Sequence, residues 1–448
     1  MLPLSALGFI RFDVEDFLTA VSDDALASML DSMHRWEIPG SYGIVGKKAQ
    51  ALQSHGREAV LRQLSWEPSL GFHSTSHSEH PTLAEDSAQR SYNEAREHFL
   101  ERERVGVEQV TEAIKAPRYF TQPGGNWVPE AAEALPQLGM DVYFTDSFNS
   151  YVIDLGTPHW YGEVLHLSFP VINPKPFGLG LPGNLQQAIE LLESWQGKTA
   201  HDALMVMLHP TELVTYEFWD AVNFAHGQTT VPLKPAPTRT VQEQREALDA
   251  FDAYLQEIRH LDIEWCDVEQ LRQKIVPRGA VAVTRSQVAD AVKTQGWGPL
   301  ELPQGTLSAA EALYALAVLW DRPDGEHLQV GYVAAPSDWH PTLRLDSARA
   351  PDDRVAVFAR SVSAHVAKTG RLPSAEAAGV PLEQGMAWLL GQEEPLKFLD
   401  YIKAPPDLHW DWPIFPQGFR PLRLWEDARR LAWTIKRARY QNEGYSSR

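Results

Sequence analysis

Short apolar runs alternate with amphipathic stretches from the start of the chain to about residue 275. The apolar runs have the length and the composition of strands, and the stretches between them repeat apolar residues at helical spacing. We predict strands at 7–12, 41–45, 70–72, 117–120, 140–144 and 204–208. We predict helices at about 21–36, 46–64, 84–113, 128–137, 185–196 and 240–259. Such alternation is typical of a parallel sheet, and its length favours closure into a barrel.

The alternation stops at Pro277-Arg278-Gly279, which we take as a domain boundary. We therefore predict one domain over 1–276 and a C-terminal domain of unknown role over 280–448. A weak repeat indicates that the second domain contains two copies of a small, mostly helical unit, although coincidence explains so few matches equally well. The matched positions are Val288, Val292, Gly296 and Pro299 against Val362, Val366, Gly370 and Pro373.

Composition narrows the class of protein. A chain of 448 residues with 44% hydrophobic and 22% charged residues is expected to fold into two or three globular domains. The net charge of −19 argues against a nucleic-acid partner. A single cysteine, Cys266, excludes an intrachain disulfide, and we expect it to be buried. Without an apolar run of about 18 residues or a signal-peptide pattern, we expect a cytoplasmic protein with no membrane partner.

Three acids directly follow the first predicted strand, in Phe12-Asp13-Val14-Glu15-Asp16. Strand alternation places Asp13 and Glu15 on one side. Two converging carboxylates need a cation or a shared proton to neutralise them, so the pair is a candidate for catalysis. The alternative is that these acids cap the next helix, a role that suits Asp16.

Histidines follow two other predicted strands. His73 and His77 would face the same way on a helix and could bind zinc or a similar ion, or they could be ordinary surface histidines. We interpret the nearby His80 as a substrate-side or structural residue. His209 ends strand 204–208 before Pro210, where it could act as a general acid or simply pack at the rim of a barrel.

A turn rich in glycine follows strand 117–120, in Thr121-Gln122-Pro123-Gly124-Gly125-Asn126-Trp127. Its glycines would allow the backbone close to a ligand, and Trp127 could stack on a sugar ring. An ordinary β-to-α turn is the alternative.

The order of these pieces resembles the polysaccharide deacetylase family of carbohydrate esterases, over roughly residues 7–270. His73-Ser74-Thr75-Ser76-His77 matches the histidine motif of that family, Leu208-His209 matches its last motif, and Asp13-Val14-Glu15-Asp16 is similar to a divergent branch. The resemblance implies an α/β fold, a distorted (β/α) barrel of about seven strands. A separate, mostly helical C-terminal domain would follow the barrel.

The resemblance also implies roles for individual residues. Asp13 would be the general base that activates water, and His209 would protonate the leaving amine. Glu15, His73 and His77 would hold a divalent metal, most readily zinc, with Asp16 as the substitute carboxylate. Pro123, Gly124, Trp127 and His80 would lie on the substrate side. One position departs from the family, because Thr121 stands where the family has an arginine.

Three functions follow from this interpretation. The first is removal of N-acetyl groups from a sugar or polysaccharide, an amide hydrolysis. The second is hydrolysis of a ureide or imide on the same barrel, and the third is carbohydrate binding without turnover. The C-terminal region, with Trp410, Trp412, Trp425 and Trp433, could be a glycan-binding module, a lid over the barrel or a dimerisation domain that makes a homo-oligomer.

Overall fold

A computed structural model describes residues 6–146, 158–174, 185–194, 203–323, 325–337, 351–374, 379–394, 396, 402 and 412–441. Trp410 lies outside these residues. The chain divides into two compact units that are discontinuous in sequence. The first unit is Met1–Ser150, His166–Gln273 and Pro405–Leu424, and the second is Tyr151–Leu165, Lys274–Ala404 and Trp425–Arg448. This division differs from the predicted 1–276 and 280–448 domains in the segments 151–165 and 405–424 and at residues 274–276.

The secondary structure alternates along the first part of the chain. The strands are β1 (Ala6–Val14), β2 (Gly40–Ile44), β3 (Gly71–Phe72), β4 (Tyr119–Thr121), β5 (Val142–Asp146), β6 (His159–Tyr161), β7 (Val164–Phe169), β8 (Val171–Ile172), β9 (Ala203–Leu208), β10 (Ile263–Trp265), β11 (Val281–Val283), β12 (Leu300–Leu302), β13 (Gly305–Leu307), β14 (Leu328–Val330) and β15 (Lys436–Arg437). The helices are α1 (Val21–Trp36), α2 (Gly46–Ser54), α3 (Glu58–Trp66), α4 (Leu83–Ser87), α5 (Tyr92–Ala113), α6 (Ala131–Ala134), α7 (Leu185–Glu193), α8 (Pro210–Val214), α9 (Trp219–Phe224), α10 (Val241–Ile258), α11 (Val268–Lys274), α12 (Arg285–Gln295), α13 (Ala309–Val318), α14 (Asp352–Thr369), α15 (Leu382–Leu389) and α16 (Leu422–Leu431).

Strand β1 is the centre of a curled, mainly parallel sheet in the first unit. All of its residues are buried, as expected for a parallel strand covered on both faces. It pairs in parallel with β2, β9 and, at its N-terminal end, β10. The sheet continues from β2 through β3 and β4 to β5, and from β9 to β8, again with parallel pairs. The predicted α/β fold with a barrel-like parallel sheet is therefore confirmed.

The parallel arrangement brings the carboxyl ends of several strands to one edge. Strand β1 ends at Val14, β3 at Phe72, β4 at Thr121 and β9 at Leu208. Each of the predicted chemical motifs begins within two residues of one of these ends. Ligands of parallel α/β folds bind at this edge, so the fold places the candidate site there.

The second unit has helices as its longest elements. Helix α13 is buried along most of its length and packs against α12, α14 and α15. The pairs β11–β14, β12–β13 and β6–β15 are antiparallel. In the predicted repeat, Gly296 follows α12 and Gly370 follows α14, and both glycines have positive φ. The repeat itself stays a prediction. None of the helices in the described ranges is both long enough and apolar enough to span a bilayer.

A buried ion pair fixes the loop between β1 and α1. The Lys48 ammonium lies 2.5 Å from Asp23 Oδ1 and also donates to the Asp16 carbonyl and the Ser22 hydroxyl. Both side chains are almost fully buried. Burial raises the pKa of Asp23, but Lys48 and then His55 outweigh it and hold the pKa below its usual value. This pair therefore holds the loop that follows the acidic motif.

We expect Asp23→Asn to lower the free energy of unfolding by about 3–5 kcal/mol, because it leaves the Lys48 ammonium buried without a counter-charge. Chemical denaturation measures this. The control is Asp24→Asn, which breaks an ion pair between Asp24 and Arg57. Because the Asp24 side chain is 64% exposed, this variant should lower the free energy of unfolding by less than about 1 kcal/mol. Equal effects of the two variants would contradict the structural role of the buried pair.

Candidate functional site

The acids after β1 have separate partners. Asp16 Oδ1 accepts hydrogen bonds from the backbone N–H groups of Leu18 and Thr19, and Oδ2 accepts one from the Thr211 hydroxyl at 2.7 Å. Its carboxylate is therefore engaged in capping the turn before α1. Asp13 and Glu15 remain as the two acids directed to the site, and both are buried.

Asp13 forms a bidentate pair with Arg11, two residues earlier on β1. Arg11 Nε lies 2.6 Å from Asp13 Oδ1, and Nη2 lies 2.8 Å from Oδ2. The same Nη2 donates to the carbonyl of Gln122, and the guanidinium lies over the ring of Phe144. A buried guanidinium held in this way fixes the position and orientation of the carboxylate.

The two histidines of the second motif converge through a loop, not through a helix. Residues 73–78 follow β3 without helical structure, and Ser74 and His77 have left-handed φ values of 66° and 51°. The Ser74 hydroxyl accepts a hydrogen bond from the backbone N–H of His77. Non-glycine residues in this region are strained and are common at functional sites. This turn brings His73 and His77 together, so the prediction that they face the same way on a helix is wrong.

His73 and His77 meet at the carboxylate of Glu15. Their Nε2 atoms lie 3.2 Å and 2.9 Å from Glu15 Oε2. Burial raises the pKa of Glu15, but His77 and then His73 outweigh it and hold that pKa well below its usual value. Ligand atoms of the three residues lie within 4.8 Å of one another, and one carboxylate with two imidazoles is a donor set that suits zinc.

Hydrogen bonds to the far sides of these residues set their orientation. His73 Nδ1 lies 2.8 Å from Thr121 Oγ1, and His77 Nδ1 lies 2.5 Å from Ser78 Oγ. Such partners fix the tautomer and the ring angle of a histidine ligand. The residues therefore fit a divalent metal both in their ligand atoms and in the bonds that support them.

Helix α9 adds two residues that the sequence interpretation missed. Trp219 Nε1 donates to Glu15 Oε1 at 2.8 Å, and Asp220 Oδ2 accepts from the Ser78 hydroxyl at 2.9 Å. Burial raises the pKa of Asp220 to about 6. No spacing rule connects these positions to a site some 140 residues or more away, so only the fold brings them together.

His209 lies on the other side of Asp13. Its Nε2 is 3.7 Å from Asp13 Oδ2, and its Nδ1 is 3.2 Å from Glu212 Oε2. Burial lowers the pKa of His209, but Glu212, with smaller contributions from Glu15 and Asp13, opposes burial, and together these groups raise the pKa to about 10. Asp13, Glu15 and His209 form a second group of possible ligand atoms that shares Glu15 with the first.

Three residues predicted on the substrate side have other roles. Trp127 is fully buried and donates to His166 Nε2 at 3.0 Å, so it packs in the core and presents no face to a sugar. His80 uses Nδ1 for Glu85 and Nε2 for the Phe224 carbonyl, so it is a structural residue. Pro123 is buried in the turn, where its carbonyl accepts a hydrogen bond from the backbone N–H of Asn126.

Trp412 is one of the aromatic residues beside the site. Its ring centroid lies 5.8 Å from that of His77, and it packs closely on Gly124, where a β-carbon would overlap the indole. Because Gly124 has no side chain, Trp412 of the same chain can pack against it. Trp412 is half-buried and belongs to the segment Pro405–Leu424 of the first unit. Residues 412–414 are held by backbone hydrogen bonds from His226 and Gly227 to Pro413 and Ile414.

No protein-family model and no curated protein matches the chain. Solved structures do match it. A peptidoglycan deacetylase from Bacillus subtilis is 14% identical with a TM-score of 0.34, covering 61% of this chain and 93% of that chain. The Xyl-CE4 domain of a multidomain xylanase from the hindgut metagenome of Trinervitermes trinervoides is 12% identical, with a TM-score of 0.34 and coverage of 61% and 93%. A CE4 family pseudoenzyme from Bacillus anthracis is 13% identical, with a TM-score of 0.32 and coverage of 60% and 66%. At these identities and TM-scores, the likeness by itself assigns no activity to this chain.

We expect strong coupling between Arg11 and Asp13 in a double-mutant cycle of unfolding free energies. Arg11→Met and Asp13→Asn should each cost about 3–5 kcal/mol, because each leaves a buried charge without its partner. The double variant should cost clearly less than the sum. A second cycle on Arg35 and Asp252, a surface pair, is the control and should couple by less than about 1 kcal/mol. Additive costs in the buried pair would contradict the structure.

We expect Glu212→Gln to bring the pKa of His209 down from about 10 towards the ordinary value of about 6.5 in the metal-free protein. Because the folded-state pKa is the higher one, protonated His209 stabilises the fold below about pH 6.5, and this contribution is lost as the pH rises towards 10. Titration of the imidazole by NMR measures the shift. Glu217→Gln, an exposed glutamate nearby, is the control and should leave the pKa unchanged.

Proposed function

We propose that this chain is a metal-dependent hydrolase that removes N-acetyl groups from a sugar or polysaccharide. The observation that carries the proposal is the meeting of Glu15, His73 and His77 at one point, with Asp13 and His209 beside it. Three ligands from the protein leave positions for substrate, as a catalytic metal site requires. Buried carboxylates with one arginine among them also favour a cation at this place.

Glu15, His73 and His77 would hold the metal in this proposal, with zinc the ion that best suits the donor set. When bound, the metal would polarise the amide carbonyl and make the attacking water more acidic. Thr121 and Ser78 would keep the two imidazoles at a fixed angle. Trp219 would hold the second oxygen of Glu15, so that the carboxylate offers the other to the metal.

Asp13 and His209 would move the protons. Asp13, held by Arg11, would accept a proton from the attacking water, and His209 would donate one to the departing nitrogen. The amide C–N bond breaks, and the products are acetate and a free amine. Glu212 keeps His209 protonated, which is the state a general acid needs before the reaction. Trp412 would form an apolar wall beside His77 against which a sugar ring could pack.

We expect wild-type protein to contain about one zinc or similar ion per chain and to release acetate from an N-acetylated sugar oligomer. His73→Ala/His77→Ala should lose the metal, because two of the three ligands are gone. Asp13→Asn should keep the metal but lower kcat/KM by about 10²–10⁴-fold, the usual contribution of a proton-transfer group. Elemental mass spectrometry and an acetate-release assay give the two readouts.

The matched control is His260→Ala/His327→Ala, which removes two exposed histidines and should leave metal and activity unchanged. Absence of metal from wild-type protein after dialysis against zinc would contradict the proposed mechanism. Bound metal with hydrolysis of a cyclic imide, and none of N-acetyl sugars, would favour the second function. Bound metal with no turnover of either substrate would favour a carbohydrate-binding protein.

A further inference from the structure

The second unit contains a cavity of about 230 Å³ with a basic lining. We call it the basic pocket. Its lining includes Arg278, Gly279, Lys436, Arg437 and Arg439. All of these residues belong to the same unit. Four cations line this cavity in a chain of net charge −19, and one of them, Arg437, is paired with Glu301 at 3.1 Å.

Two of these cations share a single buried carboxylate. Arg278 Nη2 lies 2.8 Å from Glu311 Oε1, and Lys436 Nζ lies 3.1 Å from Glu311 Oε2. The three side chains are at least 93% buried, with exposed fractions of 7%, 4% and 0% for Arg278, Lys436 and Glu311. One carboxylate neutralises one of the two cations, which leaves a net positive charge beside the cavity. A buried charge without a counter-ion is costly, so this arrangement favours an anion.

Arg278 has an unused hydrogen-bond donor. Its Nε is buried and has no hydrogen-bond partner within the part of the chain that the structure describes. The guanidinium is held in place by Glu311 and by its position over the ring of Tyr332. An anchored guanidinium fixes a positive charge at the wall of the cavity.

The state of Lys436 agrees with this interpretation. Burial and, more weakly, the charge of Arg278 lower the pKa of Lys436, while Glu311 raises it without compensating fully. Both burial and the charge of Arg278 disfavour the charged form of Lys436. A negative charge in the cavity would favour the charged form and so oppose both effects. The cavity is therefore better matched to an anion than to water.

From the cavity, its lining and the shared carboxylate, we propose that the basic pocket is a binding site for a small oxyanion, the phosphate or carboxylate group of a small molecule. Its volume is below the roughly 300–1,000 Å³ of pockets that enclose larger organic ligands. Guanidinium groups suit both oxyanions, which they bind through paired N–H donors. The site is separate from the candidate metal centre, whose residues all belong to the first unit.

The test uses calorimetric titration of the full chain with inorganic phosphate and, separately, with acetate at fixed ionic strength. The chosen variant is Gly279→Asp, because a β-carbon there meets only the Pro277 carbonyl oxygen, at 3.8 Å. It adds a negative charge at the pocket without disturbing the buried Arg278–Glu311–Lys436 group. We expect saturable binding to wild type that weakens at least about tenfold in Gly279→Asp, a change of about 1.4 kcal/mol.

The matched control is Gly331→Asp, which adds the same charge in the same unit at a glycine with open space around it and outside the pocket. It should bind as wild type does. Saturable binding of phosphate alone identifies a phosphate site, and equal binding of acetate identifies a carboxylate site. The proposal is overturned if wild type binds neither anion. It is also overturned if Gly279→Asp binds as wild type does, or if both variants weaken equally.

Discussion

The candidate site depends on one electrostatic constraint, the burial of three carboxylates within four residues at the end of β1. Asp13, Glu15 and Asp16 are each at most 3% exposed, and a carboxylate in such a place must have partners. Arg11 neutralises the first, histidines and Trp219 engage the second, and backbone N–H groups with Thr211 satisfy the third. These partners come from β1 itself, the loop after β3, α8 and α9, so satisfying the acids also assembles the site.

Arg11 supplies the guanidinium beside Asp13. The family that the sequence resembles has an arginine at position 121, and this chain has a threonine there. The structure supplies the guanidinium from β1, where it forms two hydrogen bonds to Asp13 and a third to the Gln122 carbonyl next to Thr121. The Thr121 hydroxyl contacts His73 Nδ1 instead. Gly43 of β2 packs closely on Thr121, and a β-carbon at Gly43 would overlap the Thr121 hydroxyl. The residue that holds Asp13 therefore lies on β1, and the residue that faces His73 lies on β4.

The sequence predicted the parts of this structure that depend on local pattern. Strands β1, β2 and β9 and helices α1 and α10 lie within two residues of the predicted bounds, because their apolar periodicity is long and regular. The predicted helices 46–64 and 84–113 are each two helices, since breaks at His55–Arg57 and near Ser91 do not interrupt the apolar spacing. Strands β6, β7 and β8 were not predicted, and neither were the short strands β10 to β15. The acidic and histidine motifs could be found because each directly follows a strand, whereas the left-handed turn that joins His73 to His77 has no local signal.

What the sequence could not show is which distant residues complete the site. Trp127 was the natural candidate for a sugar platform because it follows the glycine turn, yet a large aromatic beside a sheet gains more from full burial, and its N–H has a partner in His166. The tryptophan that packs beside His77 is Trp412, nearly 290 residues later, in a segment that returns to the first unit. That return is possible because Gly124, at φ 49°, leaves space for an indole that any side chain would block. A glycine interpreted as making room for a ligand makes room for another part of the same chain, and pattern alone does not distinguish the two uses.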